Sequence, residues 1–215
     1  MPERRFPHPE PPRPADAPTV RPVFLPFAGC PHRCRYCAQG VQTGQPPRSL
    51  EHSLEHLRGL LRAAEEGGDA PFELAFYGGT FTALPAGWPE RFLETTAASP
   101  LVARVRCSTR PDAVAPALLA RLRERGLSTV ELGVQSFDDA CLAASGRGYD
   151  GAVAEAACAA VREAGLGLGV QLMPGLPGDR AGTFADDAAR TAALGPDTAR
   201  LYPCLVLDGT PLAGD

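Results

Sequence analysis

The sequence predicts an α/β fold in which six parallel strands alternate with outer helices, and three observations predict it. Short apolar runs recur at 23–27, 72–77, 102–108, 128–134, 166–172 and 199–207. The last five begin 26 to 38 residues apart, the length of one strand with its crossover helix. The chain has 215 residues, 44% of them apolar, enough for one substantial core but short of the roughly 250 that a closed eight-unit barrel takes. Alternation of this kind implies a parallel sheet with helices outside. Periodicity alone leaves an open doubly wound sheet and a partial barrel as equal solutions, and both place chemistry in the loops after the strands.

Taken in order, residues 1–22 hold eight prolines and almost no apolar periodicity, so they are expected to form a disordered tail ahead of a core domain spanning 23–215. Strand one is followed by a cysteine-rich loop. Ser49 then caps a helix with Leu50, Leu54, Leu57 and Leu61 at helical spacing. Pro116 opens a helix carrying Leu118, Leu119 and Leu122 that Gly126 can end, and Gly165 and Gly195 stand at matching places after the next two helices. Gly165-Leu166-Gly167-Leu168-Gly169 superficially suggests a dinucleotide loop, but it precedes its strand and no helix follows it, so a Rossmann site is rejected.

Composition narrows the function. Formal net charge is −4, and all 21 basic residues are Arg. No polybasic nucleic-acid or membrane footprint is evident, and the absence of Lys removes Schiff-base and P-loop chemistry. No run approaches the about 20 apolar residues of a membrane span. Arg4-Arg5-Phe6 is followed by prolines rather than an apolar segment, which argues against a twin-arginine signal, so the expected location is the cytoplasm. Seven cysteines in a reducing compartment point to metal rather than to disulfides.

Three of the seven lie within eight residues, Cys30, Cys34 and Cys37, at a C-x3-C-x2-C spacing. Three thiolates on one loop can each bind one iron of a cubane cluster and leave the fourth iron open for chemistry. The competing reading is zinc, with His32 or a distant Cys as fourth ligand, although His32 sits between two cysteines of a tight loop. Cys107, Cys141, Cys158 and Cys204 are scattered singly and read as small buried apolar residues.

The cysteine loop after strand one, in a chain of strand–helix units, resembles the radical S-adenosylmethionine superfamily. Within it, the runs Phe24–His32, Ala75–Phe81, Ser108–Asp112, Glu131–Phe137 and Gln171–Gly178 resemble the radical half of the Elongator catalytic subunit and its small bacterial relatives. They are similar, more distantly, to oxygen-independent coproporphyrinogen oxidases. The resemblance covers about residues 22–212 and implies a partial (βα)6 TIM-like barrel, here with its last helix absent. It also implies a [4Fe–4S] cluster on Cys30, Cys34 and Cys37 and S-adenosylmethionine bound at the open iron.

For the remaining site residues the resemblance implies the following. Gly78, Gly79 and Thr80 correspond to a motif whose backbone carbonyls bind the methionine amino group, with Thr80 where many members have Glu; glycines there would also let a ligand approach the backbone. Ser108 and Gln135 are implied in contacts to the cofactor, Gln135 to ribose hydroxyls. Arg147 is implied to reach the methionine carboxylate, and Tyr36 and Met173 to lie against the adenine; Gln171 ends the same strand. Arg110 and Asp112 read equally well as a bracing ion pair.

The implied activity is reductive cleavage of S-adenosylmethionine to a 5′-deoxyadenosyl radical, with one electron from a flavodoxin- or ferredoxin-like donor. From a different class, a catalytically silent iron–sulfur or zinc module that docks on a partner shares the same cysteines. The Elongator resemblance suggests tRNA as substrate, against which stand the missing acetyltransferase half and the lack of a basic patch. Asp208-Gly209-Thr210-Pro211 reads as a turn leading nowhere, which predicts a last strand that depends on a partner, a substrate or a missing C-terminal segment for cover.

Overall fold

The computed structural model describes residues 19–44 and 46–214. Six strands, β1 (Thr19–Phe24), β2 (Phe72–Tyr77), β3 (Val102–Thr109), β4 (Leu127–Gln135), β5 (Gly167–Leu172) and β6 (Thr198–Leu201), form one sheet in the order β1-β2-β3-β4-β5-β6. Every neighbouring pair is parallel. A doubly wound sheet reverses its strand order to put helices on both faces. Here each crossover steps to the next position, so the sheet curls into a half-barrel, as expected.

Among the described residues seven α-helices accompany the strands: α1 (Gln39–Thr43), α2 (Leu50–Glu66), α3 (Trp88–Ala97), α4 (Pro116–Glu124), α5 (Asp139–Ala144), α6 (Gly151–Glu163) and α7 (Thr183–Leu194). The punctuation read from the sequence operates: Ser49 Oγ accepts from His52 N at 3.1 Å at the start of α2, and Gly195 ends α7 in the left-handed conformation. Phe72, Leu74 and Phe76 of β2, Val130 and Leu132 of β4, and Leu168 and Val170 of β5 join Leu57, Phe92, Leu119 and Val161 of the helices in one buried core on the convex face. Phe76 anchors it, its ring 4.7 Å from Phe81 and 5.3 Å from Phe92.

The alternate residues of the same strands line the concave face, and these are polar or small. Gly169 illustrates why: a Cβ there would lie 2.8 Å from Glu131 Cγ, so the glycine makes room for the glutamate to lie across β5. Gly167 does the same for Thr129, whose Oγ1 would be 2.9 Å from a Cβ. The glycine repeat that imitates a dinucleotide loop is thus a clearance for concave-face side chains.

Three boundaries differ from expectation by more than one residue. Strand β1 begins at Thr19 rather than at Val23, so the expected tail overlaps the domain by four residues; residues 1–18 lie outside the described ones. Pro22 is tolerated because β1 pairs only with β2, leaving one edge without ladder partners. At its other end β1 stops at Phe24, since Phe27 takes a left-handed φ of 59° in the turn that launches the cysteine loop. Strand β6 ends at Leu201, not at 207. Pro203 cannot donate to a ladder, and the chain instead follows the loop after β5, with Tyr202 N on Leu172 O at 3.0 Å and Cys204 N on Pro174 O at 2.9 Å.

No α-helix follows β6 among the described residues. The turn at 208–211 does lead somewhere: a 3-10 turn, Pro211–Gly214, folds back so that Leu212 N donates to Arg35 O at 3.0 Å. Leu212 packs there against a small cluster of Cys34, Tyr36, Cys141 and Leu176. No helix among the described residues is long and apolar enough to cross a membrane.

Candidate metal and cofactor site

The cysteine loop is pressed against the turn after β2. Gly29 has φ 74°, and a Cβ there would sit 2.3 Å from Thr80 O; Gly79 has φ 61°, and its Cβ would sit 2.1 Å from Ala28 O. These two glycines are required because two backbone segments touch. For Gly79 this replaces the expectation of a clearance for ligand: the volume a side chain would need is filled by the cysteine loop, while Gly78, with φ 79°, has Gln39 Oε1 at 3.2 Å from its would-be Cβ. Gln39, two residues beyond Cys37, staples the contact by accepting from Phe27 N at 2.7 Å and from Gly79 N at 3.0 Å. Cys30 Sγ lies 3.3 Å from Thr80 Oγ1. The Thr80 hydroxyl therefore faces a thiol.

On the opposite side of the loop, Arg147 is 5% exposed. Its Nη1 donates to Cys34 Sγ at 3.1 Å and to Tyr36 OH at 3.3 Å, and its Nε to Tyr149 OH at 2.9 Å. Its Nη2 donates to Gly133 O and Tyr149 OH. The same Tyr149 ring lies under both Arg147 and Arg110. Arg110 forms the expected pair with Asp112, at 2.8 and 2.7 Å, donates to Arg147 O, and points Nη1 at Cys34 Sγ from 3.8 Å. Two guanidiniums thus converge on one sulfur, and among the described residues only Arg110 has a carboxylate of its own.

Burial and electrostatics agree on what this environment wants. Burial alone would lower the Arg147 pKa, but Tyr36, Tyr149 and Cys34 outweigh it and the net shift is upward, so the cation persists. Burial also raises Tyr36 well above the ordinary phenol range despite Arg147, keeping the phenol neutral. Burial, with the neighbouring Cys34, raises the Cys37 thiol. A buried cation without an anion is costly by several kcal/mol, and the groups around Arg147 other than Cys34 are phenols and carbonyls. A thiolate at Cys34 would supply the missing charge.

The donor set fits a cluster better than a single ion. Among the described residues, no three His, Cys, Asp or Glu side chains converge as ligands of one metal ion. His32 is turned away, its Nε2 2.8 Å from Gly146 O. A cubane takes one thiolate per iron and spreads its ligands apart, whereas structural zinc draws four to one point.

The remaining predicted residues occupy the rim between this loop and the concave face. Ser108 is the penultimate residue of β3, half-buried, on the concave side. Gln135 ends β4 with φ 71°, a conformation that L-residues other than glycine adopt at a cost of about 1–3 kcal/mol. Its carbonyl accepts from Met173 N at 2.8 Å and its Oε1 from Gln171 Nε2 at 3.1 Å, which draws the ends of β4 and β5 together. Asp187 holds the following turn, accepting from Phe137 N and Ser136 Oγ, each at 2.7 Å. Met173 packs on the cluster that contains Cys34 and Tyr36. Gln39, Tyr149 and Asp187 escaped the sequence reading. The first two lie two residues beyond Cys37 and Arg147, the one local signal they carry.

The family model of the Radical SAM superfamily matches residues 24–190. The chain belongs to the radical SAM superfamily. It is 30% identical to a tRNA uridine(34) acetyltransferase of Dehalococcoides mccartyi over 220 residues, covering 85% of this chain and 48% of that protein. It is 31% identical to an oxygen-independent coproporphyrinogen III oxidase of Cereibacter sphaeroides over 182 residues, 81% of this chain and 40% of the other. Among solved structures, the archaeal Elp3 of Methanocaldococcus infernus superposes with a TM-score of 0.67 at 22% identity, covering 92% of this chain and 49% of its own. That last likeness shows the shared half-barrel alone. The chain spans less than half the length of each of these proteins.

Proposed function

We propose that this radical SAM protein holds a [4Fe–4S] cluster through Cys30, Cys34 and Cys37 and binds S-adenosylmethionine on the rim formed by the ends of β2 to β5. The observation that carries the reading is the buried Arg147 guanidinium on Cys34 Sγ, a cation placed for a metal-bound thiolate. When bound, the two groups would supply one-electron reductive cleavage of the sulfonium, yielding methionine and a 5′-deoxyadenosyl radical that takes a hydrogen atom from substrate.

The chain's own residues would bind, orient and shield. Carbonyls of the Gly78-Gly79 turn serve the amino group, with the Thr80 hydroxyl beside them. Arg147, whose five N–H groups are already given to Cys34, Tyr36, Tyr149 and Gly133 O, would serve the Cys34 thiolate and not the methionine carboxylate that the family resemblance implied for it. Gln135 is held by Gln171 in position for the ribose, with Ser108 on the neighbouring strand. Tyr36 and Met173 offer apolar surface to the adenine, while Cys141, Leu176 and Leu212 close the loop from beneath and keep water from the sulfurs. A flavodoxin- or ferredoxin-like protein would deliver the electron.

Anaerobic reconstitution with iron and sulfide is expected to give a brown protein with about four irons per chain, and dithionite with S-adenosylmethionine is expected to release 5′-deoxyadenosine. Cys34→Ala is expected to remove both. A colourless, iron-free product from the unaltered chain overturns the reading, and stoichiometric zinc without cofactor cleavage assigns the silent module instead.

A further inference from the structure

The concave face carries a row of charged side chains that the cysteine site does not use. Glu73 of β2, Arg106 of β3, Glu131 of β4 and Arg200 of β6 alternate in sign across the half-barrel. Arg106 Nη2 meets Glu73 Oε2 at 2.5 Å and its Nη1 meets Glu131 Oε1 at 2.7 Å; Arg200 Nη2 meets that same oxygen at 2.9 Å. Arg200 Nη2 also donates to Tyr77 OH at 2.6 Å, joining the second strand to the sixth across the concavity.

The row is most open at one end. Side-chain accessibility is 4% at Glu73, 15% at Arg106 and 7% at Glu131, against 32% at Arg200. Its deep end is a carboxylate with Oε1 unpartnered, beside an unpartnered Arg106 Nε. Its open end is a guanidinium. Both acceptors found for Arg200 sit on Nη2, so Nε and Nη1 keep their donors for something else. Arg104, on the same face of β3 as Arg106 and exposed, adds a third cation against two carboxylates. Tyr77 ends β2 immediately before Gly78, which puts this open cation next to the rim assigned above to S-adenosylmethionine.

We infer that Arg200, positioned by Tyr77 and Glu131, is a substrate-binding residue, and that the substrate carries a carboxylate or phosphate group that docks on it. The inference rests on the reading of the site as a radical SAM centre. An alternating row fixes the guanidinium in place, so little side-chain entropy remains to be lost when an oxyanion accepts from its free edge. The position places that anion at the open end of the row, beside the rim that begins at Gly78.

The test is calorimetric titration of the reconstituted protein with inorganic pyrophosphate and, separately, with citrate, each against sodium chloride of matched ionic strength. The expected result is saturable binding of at least one probe, weakened tenfold or more in Arg200→Gln, partly retained in Arg200→Lys and weakened several-fold in Tyr77→Phe. Arg180→Gln, ahead of α7 where Arg180 pairs with Asp138, is expected to bind as the unaltered chain does. Binding of pyrophosphate alone assigns a phosphate, and of citrate alone a carboxylate. Absence of saturable binding, or equal affinity in Arg200→Gln and Arg200→Lys to that of the unaltered chain, overturns the inference. Release of 5′-deoxyadenosine by the unaltered chain, measured in parallel, separates its failure from failure of the radical reading.

Discussion

On its convex face the sheet presents Phe72, Leu74 and Phe76 from β2 and Val130, Leu132 and Val134 from β4; on its concave face the alternate residues of those strands include Glu73 and Glu131, paired with Arg106 from between them. One set of strands therefore supports two different interiors. The convex side is stabilised by area removed from water and is indifferent to which apolar residue supplies it, within volume limits. The concave side gains little net stability from its ion pairs, because desolvation offsets most of their attraction, but it fixes donors and acceptors in defined places. Stability and specificity are thus assigned to opposite faces of the same residues' backbone.

The comparison can be broken most directly on the convex side. Phe76→Ala, which empties the space between Phe81 and Phe92, is expected to cost about 3–5 kcal/mol in urea unfolding and to leave the pairing on the concave face intact. A smaller loss is expected from Glu131→Gln. Removing the carboxylate that two guanidiniums share leaves both short of a counter-charge, and since Arg200 is a third exposed, about 2–3 kcal/mol is the appropriate scale. Equal losses from the two substitutions, or a neutral Glu131→Gln, would show that the charged row is solvated and that the two faces are not distinct in this way.

The smallest effect concerns pH and the strained end of β4. Burial raises the Asp187 carboxyl, outweighing the hydrogen bonds from Phe137 N and Ser136 that lower it. The folded chain then holds this proton more tightly than the unfolded chain does. The group's contribution is complete below the usual carboxylate range of about 4 and is lost as pH rises through the folded value. Urea midpoints measured from acidic to neutral pH are expected to show that fall in the unaltered chain and a flatter profile in Asp187→Asn. An unchanged profile would detach Asp187 from the stability of the Gln135 turn.

The parts of this architecture legible in the sequence were those set by neighbours in the chain. Ser49 caps α2 through its own N3 amide, and Gly195 ends α7 through its own φ, so both could be placed from spacing. The cysteine triplet was legible for the same reason. Strand ends were less so: Pro22 reads as a breaker until one knows that β1 lies at the sheet's edge, and the apolar Leu205 and Val206 read as strand although they are 62% and 65% exposed after Pro203 has released the chain. Gln39, Tyr149 and Asp187 belong to the site only through contacts with residues distant in sequence or with turns whose shape is not local.

The sequence by itself determined the class of fold, the number of its repeating units and the thiol triplet of the loop after the first strand, because periodicity, caps and a run of thiols are written within a few residues of one another. Only the tertiary structure decided that the sheet curls rather than reverses, that Gly29 and Gly79 serve a contact between two backbone segments, that Leu212 returns to the cysteine loop, and that Tyr77 and Arg200 meet. Those facts depend on strand order and on which face each residue turns toward. Each joins positions tens of residues apart or more, where the chain carries no local signal of who the neighbour will be.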